Sequence, residues 1–196
     1  LKQAKSALTK EIDYLKKYFP ENKSAQKYYK NARYWLENRA QKLIMNDGSF
    51  AQYSMNYHRL MLDTISMSEY WRLKFNDKKF SSKWYKKAIL ATNWLTELID
   101  PNTGYTPNLG SNDGARIFVL YKSSYRDFRP TAHFASILFK NCSPFEKGEW
   151  DELSFWLKIE DHPQPAAAAA AAAAAKRSTI LFPTGGYIKL TADQAT

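Results

Sequence analysis

Residues 46–59 read NDGSFAQYSMNYHR, and the organisation of the chain follows from this stretch. The Asn-Asp-Gly at its start predicts a tight turn, because Asn and Gly tolerate positive φ and Asp hydrogen-bonds the nearby backbone. Apolar and small residues then recur at three- and four-residue spacing from Tyr57 to Trp71. This spacing is typical of a helix. The stretch therefore predicts a turn that leads directly into a helix.

Residues 56–59 place an amide, a phenol, an imidazole and a guanidinium side by side in the first turn of that helix. Unpaired backbone N–H groups and the positive end of the helix dipole lie at the same position. Together these groups suit an anionic substrate that must be bound and deprotonated.

The composition is that of a globular protein. The chain has 196 residues, of which 44% are hydrophobic and 15% aromatic. This is enough for one domain with a core, or for one domain and the beginning of another. Its six Trp and thirteen Tyr either fill a helical core or line a sugar-binding cleft, and composition alone leaves both open.

The formal net charge of +10 favours a polyanionic partner, or else a solvated basic face. Acidic polysaccharide ranks above nucleic acid, because no nucleic-acid-binding module is recognisable. No apolar run is long enough to cross a bilayer. Cys142 is the single cysteine, which excludes an intrachain disulfide and leaves the compartment open. No signal peptide is visible, and because residue 1 is Leu the natural N-terminus is expected to lie upstream.

Most of residues 1–158 is predicted to form helix pairs joined by turns. The first helix has an apolar stripe over residues 8–19 and ends at Pro20, and the second is predicted to be capped by Ser24. The helix after the Asn-Asp-Gly turn is expected to run to about Phe75. The residues predicted to face inward from the second helix are Tyr28, Ala32, Trp35, Leu36, Ala40, Leu43 and Ile44.

Further helices are predicted around residues 84–99, from Arg129, and around residues 150–157, and a long loop spans 100–114. Long loops between regular elements are often functional. The ten alanines at 166–175 follow a Pro-Gln-Pro, and we assign them no chemistry. Residues 178–190 predict a β-hairpin whose strands need partners outside this chain. The predicted domains are a helical region, 1–158, a linker, 159–176, and the first strands of a second domain, 177–196.

Four blocks in order, residues 47–63, 104–114, 125–130 and 182–187, resemble the heparinase II/III-like polysaccharide lyases. The similarity covers most of residues 25–190. It implies a mainly α fold, an incomplete α/α toroid of helical hairpins, followed by a β-sandwich that the hairpin begins. It further implies a carbon–oxygen lyase that, at full length, cleaves a uronate-containing polysaccharide by β-elimination without a cofactor. Glycosaminoglycan and alginate are the implied substrate classes, and the implied location is periplasmic or extracellular.

The resemblance also implies roles for individual residues. Tyr57 would be the general base and acid, and its pKa, about 10 when free, would need a cation or a helix N-terminus to favour the phenolate. Arg59 and the helix dipole are the candidates for that task. His58 is the second candidate catalytic residue, and no metal site is expected. The candidate substrate-binding residues are Asn56, Arg59, Tyr105, Asn112 and Arg129.

The chain departs from the family pattern in two respects. Members usually carry an Asn-His pair on an earlier helix, and none of the three histidines here follows an Asn. The sandwich domain, which supplies another histidine and sometimes a metal site in the family, is nearly absent. The fragment is therefore not expected to be a competent enzyme by itself.

Each candidate residue also has a structural alternative. Tyr57 and His58 could be core residues at helical spacing. Arg59 could form a surface ion pair with Asp63 four residues on. Arg129 could belong to a structural network around Pro130, and residues 112–114 could supply only turn chemistry.

Two other functions compete with the lyase. A non-catalytic glycan-binding or scaffold module would keep the basic helices and the aromatic cleft without the base. A glycosidase would need two facing carboxylates. Asp47, Asp63 and Asp113 are the candidates, and the sequence shows no obvious pair among them.

Overall fold

A computed structural model of the chain describes residues 22–159 and 179–190, which form a mainly helical body joined to a short antiparallel hairpin. The mainly α class predicted from sequence is therefore confirmed. The elements in order are α1 (Lys23–Leu43), α2 (Met55–Lys74), α3 (Ser82–Leu98), α4 (Arg129–Lys140), a 3₁₀ turn (Glu149–Asp151), α5 (Glu152–Trp156), β1 (Thr179–Phe182) and β2 (Tyr187–Leu190).

Helix α1 begins one residue earlier than its predicted cap. The side-chain oxygen of Asn22 accepts hydrogen bonds from the backbone N–H groups of Ser24 and Ala25 at 3.0 and 3.1 Å. Asn22 has extended backbone angles, as an N-cap residue requires. The prediction that Ser24 caps this helix was wrong, because the stronger cap lies just before it and Ser24 is already helical.

The inward face of α1 is only partly as predicted. Ala40 and Ile44 are buried in the core, whereas Tyr28 and Trp35 are 51% and 45% exposed. Trp35 lies under the guanidinium of Arg39 on the outer surface, 4.6 Å from ring centroid to carbon. An aromatic stripe on a helix thus included residues that contact a cation at the surface instead of the core.

Helix α2 begins and ends where the spacing predicted. Ser54 is its N-cap and accepts from the backbone N–H of Tyr57 at 3.2 Å, and Phe75 is its C-cap. Its core-facing residues Leu62 and Ile65 are buried beside α3 residues such as Trp84 and Leu95. The helix is therefore held firmly enough to fix side chains in its first turn.

Helix α4 lies at the centre of the packing, since it contacts α2, α3, α5 and the 3₁₀ turn. It begins with Pro130 in its first turn and ends at Asn141, which has a left-handed φ of 56°. Ala132 and Ala135 are fully buried. The helix predicted from Arg129 is confirmed. In α5, which is five residues long, Leu153 is buried and Trp156 is 59% exposed.

The hairpin pairs β1 with β2 in antiparallel register, with Phe182 opposite Tyr187. Phe182 is buried and packs edge-on against Trp94 of α3 at 6.0 Å between ring centroids. The predicted hairpin is therefore confirmed, and its first strand contributes to the core of the helical body.

The turn at residues 46–49 connects that hairpin to the helices. One carboxylate oxygen of Asp47 accepts from the backbone N–H of Gly185 at 2.7 Å, and the other accepts from Ser49. A Cβ at Gly185 would lie 2.3 Å from the Ser49 hydroxyl oxygen, so only glycine fits. The turn at residues 46–49 thus also holds the β1–β2 hairpin against the helical body.

Some sequence predictions fall on other parts of the chain. The helix over residues 8–19 and the alanine run at 166–175 lie outside the described residues. The three domain boundaries, the closure of the helices into a toroid and the continuation into a sandwich stay predictions.

Candidate functional site

The loop after α3 lies over the first turn of α2. The backbone N–H of Met55 donates to the carbonyl of Leu109 at 3.0 Å, and the hydroxyl of Ser54 donates to the carbonyl of Ser111. A Cβ at Gly110 would lie 2.1 Å from the carbonyl oxygen of Tyr53, so the two backbones are in direct contact. This contact places residues 112–114 against the start of the helix.

The side-chain amide of Asn56 is oriented by its neighbours. Its oxygen accepts from the guanidinium of Arg59 at 2.8 Å and from the hydroxyl of Tyr125 at 2.9 Å. Its nitrogen donates to the carboxylate of Asp113 at 3.0 Å. Two donors on the oxygen fix which end of the amide faces the loop. Asn56 is 1% exposed as a residue, and its amide nitrogen is directed at a carboxylate.

Arg59 lies inside the core beside Asn56. It is fully buried, and its guanidinium donates to the carbonyl of Tyr125 at 2.7 Å as well as to Asn56. The guanidinium lies between the rings of Tyr125 and Phe128, 4.3 and 4.4 Å from their centroids. A buried cation held in this way favours orientation of Asn56 over bidentate binding of a substrate carboxylate.

Tyr57 lies at the edge of the group, with its ring half-buried against the core. Its hydroxyl donates to the second carboxylate oxygen of Asp113 at 3.1 Å. This hydrogen bond and the negative charge of Asp113 raise the pKa of Tyr57 above its usual value. The bond from Ala115 N–H, together with that from Tyr57, lowers the pKa of Asp113.

The expectation that Arg59 lowers the pKa of Tyr57 was therefore wrong. Residues two positions apart on a helix point to nearly opposite sides, so the guanidinium turns toward Asn56 and away from the phenol. The nearest ionised group to the phenol is an acid, Asp113, and the phenol is neutral in this arrangement.

His58 is not part of the group. The residue is fully buried, its Nε2 lies 3.0 Å from the carbonyl oxygen of Ala91, and its ring stacks on Trp94 at 4.5 Å. Burial lowers the pKa of His58 to about 4, so the ring is neutral. With an acceptor at Nε2, that nitrogen carries the proton. This placement favours a packing role, and the catalytic assignment of His58 stays a prediction.

The remaining candidates are divided between the site and its surroundings. Asn112 belongs to the group, because its side-chain oxygen also lies within hydrogen-bond distance of the Tyr125 hydroxyl, whose single proton is shared between the oxygens of Asn56 and Asn112. Tyr105 is exposed at the start of the loop, with the guanidinium of Arg126 over its ring at 4.5 Å. Arg129 forms two hydrogen bonds with Asp127 at 3.0 and 2.9 Å, which favours the structural alternative.

Sequence reasoning gave no role to Tyr125 and treated Asp113 as a candidate glycosidase carboxylate or a turn residue. Both contact Asn56 directly in the structure. Tyr125 could have been nominated from sequence because it begins the block at 125–130, in which only the charged residues were considered as candidates. Asp113 could not be paired with Asn56 from spacing alone, because 57 positions separate them.

The described residues contain neither a metal-binding cluster nor a membrane-spanning helix. Within 22–159 and 179–190, no group of three or more His, Cys, Asp or Glu side chains is arranged to hold a metal ion. In the same part of the chain, no helix combines the length and apolar character needed to cross a bilayer.

Comparison with known proteins gives one match. The family model described as heparinase II/III N-terminus matches residues 9–131. No curated protein and no solved structure matches the chain. The matched segment contains α1, α2, α3, the loop with Asp113 and Tyr125, and the first residues of α4. Because it covers more than half of the sequence, the chain belongs to the heparinase II/III family, which associates it with polysaccharide lyases.

Proposed function

We propose that this protein contributes the carboxylate-binding and proton-transfer groups of a lyase that acts on uronate-containing polysaccharides by β-elimination. The observation that carries the proposal is the contact of Asn56 and Tyr57 with the two oxygens of one carboxylate, that of Asp113, at 3.0 and 3.1 Å. Two neutral donors side by side at a helix N-terminus match the carboxylate of a uronic acid in shape and in charge.

In the proposed reaction, Asn56 binds the uronate carboxylate and Tyr57 faces C5 of the same sugar. Hydrogen bonding to the carboxylate stabilises the negative charge that develops when C5 loses its proton. The C5–H electron pair then forms the C4–C5 double bond, and the C4–O4 bond breaks. The phenolate oxygen of Tyr57 takes the C5 proton, and the resulting phenol returns a proton to the leaving oxygen.

The residues around Asn56 support its proposed role as a carboxylate donor because they fix the orientation of its amide. Arg59 and Tyr125 both donate to the oxygen of Asn56, so the amide nitrogen is fixed as a donor before any ligand arrives. Arg59 also supplies a buried positive charge close to the place where an anionic sugar would bind. The net charge of +10 favours the approach of a polyanionic chain.

The proposal is tested by incubating the protein at full length with uronate polymers, namely heparan sulfate, polygalacturonate and alginate, and with a neutral glucan as the control. β-Elimination produces an unsaturated sugar that absorbs in the ultraviolet, whereas hydrolysis does not. Ultraviolet-absorbing product from at least one uronate polymer and none from the glucan is the expected result. Reducing ends released without that absorbance would identify a hydrolase and overturn the proposal.

A non-catalytic glycan-binding module is the second candidate, and one observation favours it. Asp113 contacts the hydroxyl of Tyr57 and keeps the phenol neutral, whereas proton abstraction needs a phenolate. Saturable binding of a uronate polymer with no unsaturated product would select this function.

A further inference from the structure

The carboxylate of Asp113 occupies the position that the proposed function assigns to the substrate. It takes the amide donor of Asn56 and the phenol donor of Tyr57 at the same time, one with each oxygen. With Asp113 in place, the Asn56 amide and the Tyr57 hydroxyl already donate to a carboxylate, and the negative charge of Asp113 would repel a second one. The site as described is therefore filled by an anionic side chain of the protein.

The segment that carries Asp113 has features that would allow it to move away from Asn56 and Tyr57. Residues 107–114 are all exposed, and two glycines with positive φ, Gly110 at 71° and Gly114 at 74°, flank its tip. The anchors to α2, through Leu109 and Ser111, lie before the tip, and at the tip Asn112 is held by a hydrogen bond with the Tyr125 hydroxyl that must break when the segment moves. A Cβ at Gly114 would have no atom within 4 Å, so there is open space on that side. Exposed backbone with few apolar contacts opens at low free-energy cost.

We propose that Asp113 is an internal stand-in for the substrate carboxylate, so that residues 112–114 must move off Asn56 and Tyr57 before a uronate binds. This inference rests on the proposed function, since Asp113 contacts Asn56 and Tyr57, the two residues that the proposed reaction uses. A substrate that displaces Asp113 also removes the acidic partner of the Tyr57 hydroxyl. Asp113 then selects for ligands able to compete for the Asn56 amide, which neutral sugars cannot do as well as carboxylates.

The test is to measure the binding of sodium glucuronate, with glucose as the uncharged comparison, by following the side-chain amide resonance of Asn56. Asp113→Asn keeps the size of the side chain and its bond from the Ala115 N–H but removes the charge. Asp113→Ala removes both donor contacts. Glu146→Gln changes the charge by the same amount at an exposed position remote in sequence and serves as the control.

Both Asp113 variants should bind glucuronate roughly tenfold more tightly than the wild type. The reason is that the state in which residue 113 is away from Asn56 and Tyr57, which is the state that binds glucuronate, is no longer a minor one. Glu146→Gln should match the wild type, and glucose binding should not change in any variant. Equal or weaker glucuronate binding in both Asp113 variants would overturn the inference, since it would show that Asp113 helps to build the site. Glucuronate has no glycosidic bond at C4 to eliminate, so this result is independent of turnover, and failure of the proposed lyase activity is seen separately in the polymer assay.

Discussion

Arg59 donates to the side-chain oxygen of Asn56 at 2.8 Å, across one turn of the same helix. This bond decides which end of the Asn56 amide faces the loop, and so makes Asn56 a donor toward an anion. The guanidinium is fully buried between two aromatic rings, so the orientation is built into the fold.

Arg59→Lys should therefore weaken both the fold and the site. An ammonium cannot keep the planar contact with the rings of Tyr125 and Phe128 while also donating to Asn56. We expect a loss of about 2–4 kcal/mol in the free energy of unfolding, measured by chemical denaturation. Arg126→Lys, at an exposed guanidinium that also lies over a ring, should lose less than about 0.5 kcal/mol. Equal losses in the two variants would contradict the positioning role of Arg59.

Gly110→Ala should displace the loop from the start of α2. The added Cβ would lie 2.1 Å from the carbonyl oxygen of Tyr53, in addition to the strain of a positive φ. Gly114→Ala is the matched control, because it carries the same φ strain and meets no atom within 4 Å. The control should lower the free energy of unfolding by about 1 kcal/mol, and Gly110→Ala should lower it by at least about 1 kcal/mol more.

The position of the loop can be read from the amide of Met55, which donates to Leu109. Hydrogen exchange at this amide should become faster in Gly110→Ala and stay unchanged in Gly114→Ala. The same exchange rate in both variants would show that the close contact at Gly110 does not hold the loop in place.

The sequence was sufficient to predict the parts of the fold that depend on local pattern. The start and end of α2, the helix from Arg129 and the pairing of β1 with β2 follow from spacing, proline position and turn residues. The cap of α1 was assigned to Ser24 instead of Asn22, because both residue types cap helices and only the backbone angles separate them. Trp35 was placed inside because an aromatic residue under a surface guanidinium has the same spacing as one in a core.

The arrangement of the candidate site depends on contacts that residue spacing does not encode. Residues 56–59 were expected to act together, but consecutive residues on a helix point in different directions. Asn56 and Tyr57 meet the loop, Arg59 turns back to Asn56, and His58 enters the core. The partner that joins the first two, Asp113, comes from a loop whose path depends on contacts at Leu109 and Gly110 that no local pattern encodes.

Asp47→Asn should loosen the hairpin from the helical body. Burial raises the pKa of Asp47, but the hydrogen bonds from Ser49 and Gly185 outweigh it and hold the pKa below its usual value. The stability that this carboxylate contributes is thus present above the pKa of the unfolded chain and is lost as pH falls toward the lower folded value. The variant should lose about 1 kcal/mol at neutral pH, with faster hydrogen exchange at Gly185.

Glu97→Gln is the control for that experiment, because Glu97 also joins the body to the hairpin through an exposed ion pair with Lys189 at 3.9 Å. An exposed ion pair contributes little to stability, so Glu97→Gln should lower the free energy of unfolding by less than about 0.5 kcal/mol. A larger effect from Glu97→Gln than from Asp47→Asn would contradict the assignment of the main connection to Asp47.

His58 should make the fold sensitive to mild acid. Burial lowers its pKa to about 4, whereas the unfolded value is about 6.5. The unfolded chain therefore binds the proton first, and stability falls as pH drops from about 6.5 toward 4, by about 3 kcal/mol in total. His58→Gln, which keeps a donor for Ala91, should remove this part of the pH dependence when unfolding is compared across the same range. An unchanged pH profile would show that the imidazole is not held neutral by burial.

The central claim, that the phenol of Tyr57 moves the proton at a carboxylate-binding site, is tested most directly by the rate of ultraviolet-absorbing product formation from a uronate polymer in Tyr57→Phe. The account predicts a loss of at least about a hundredfold in this rate, with the free energy of unfolding retained, because only a hydroxyl at the edge of the site is removed. Tyr28→Phe, at an exposed phenol on α1, should keep the full rate. A Tyr57→Phe protein that forms the unsaturated product as fast as the wild type would contradict the account.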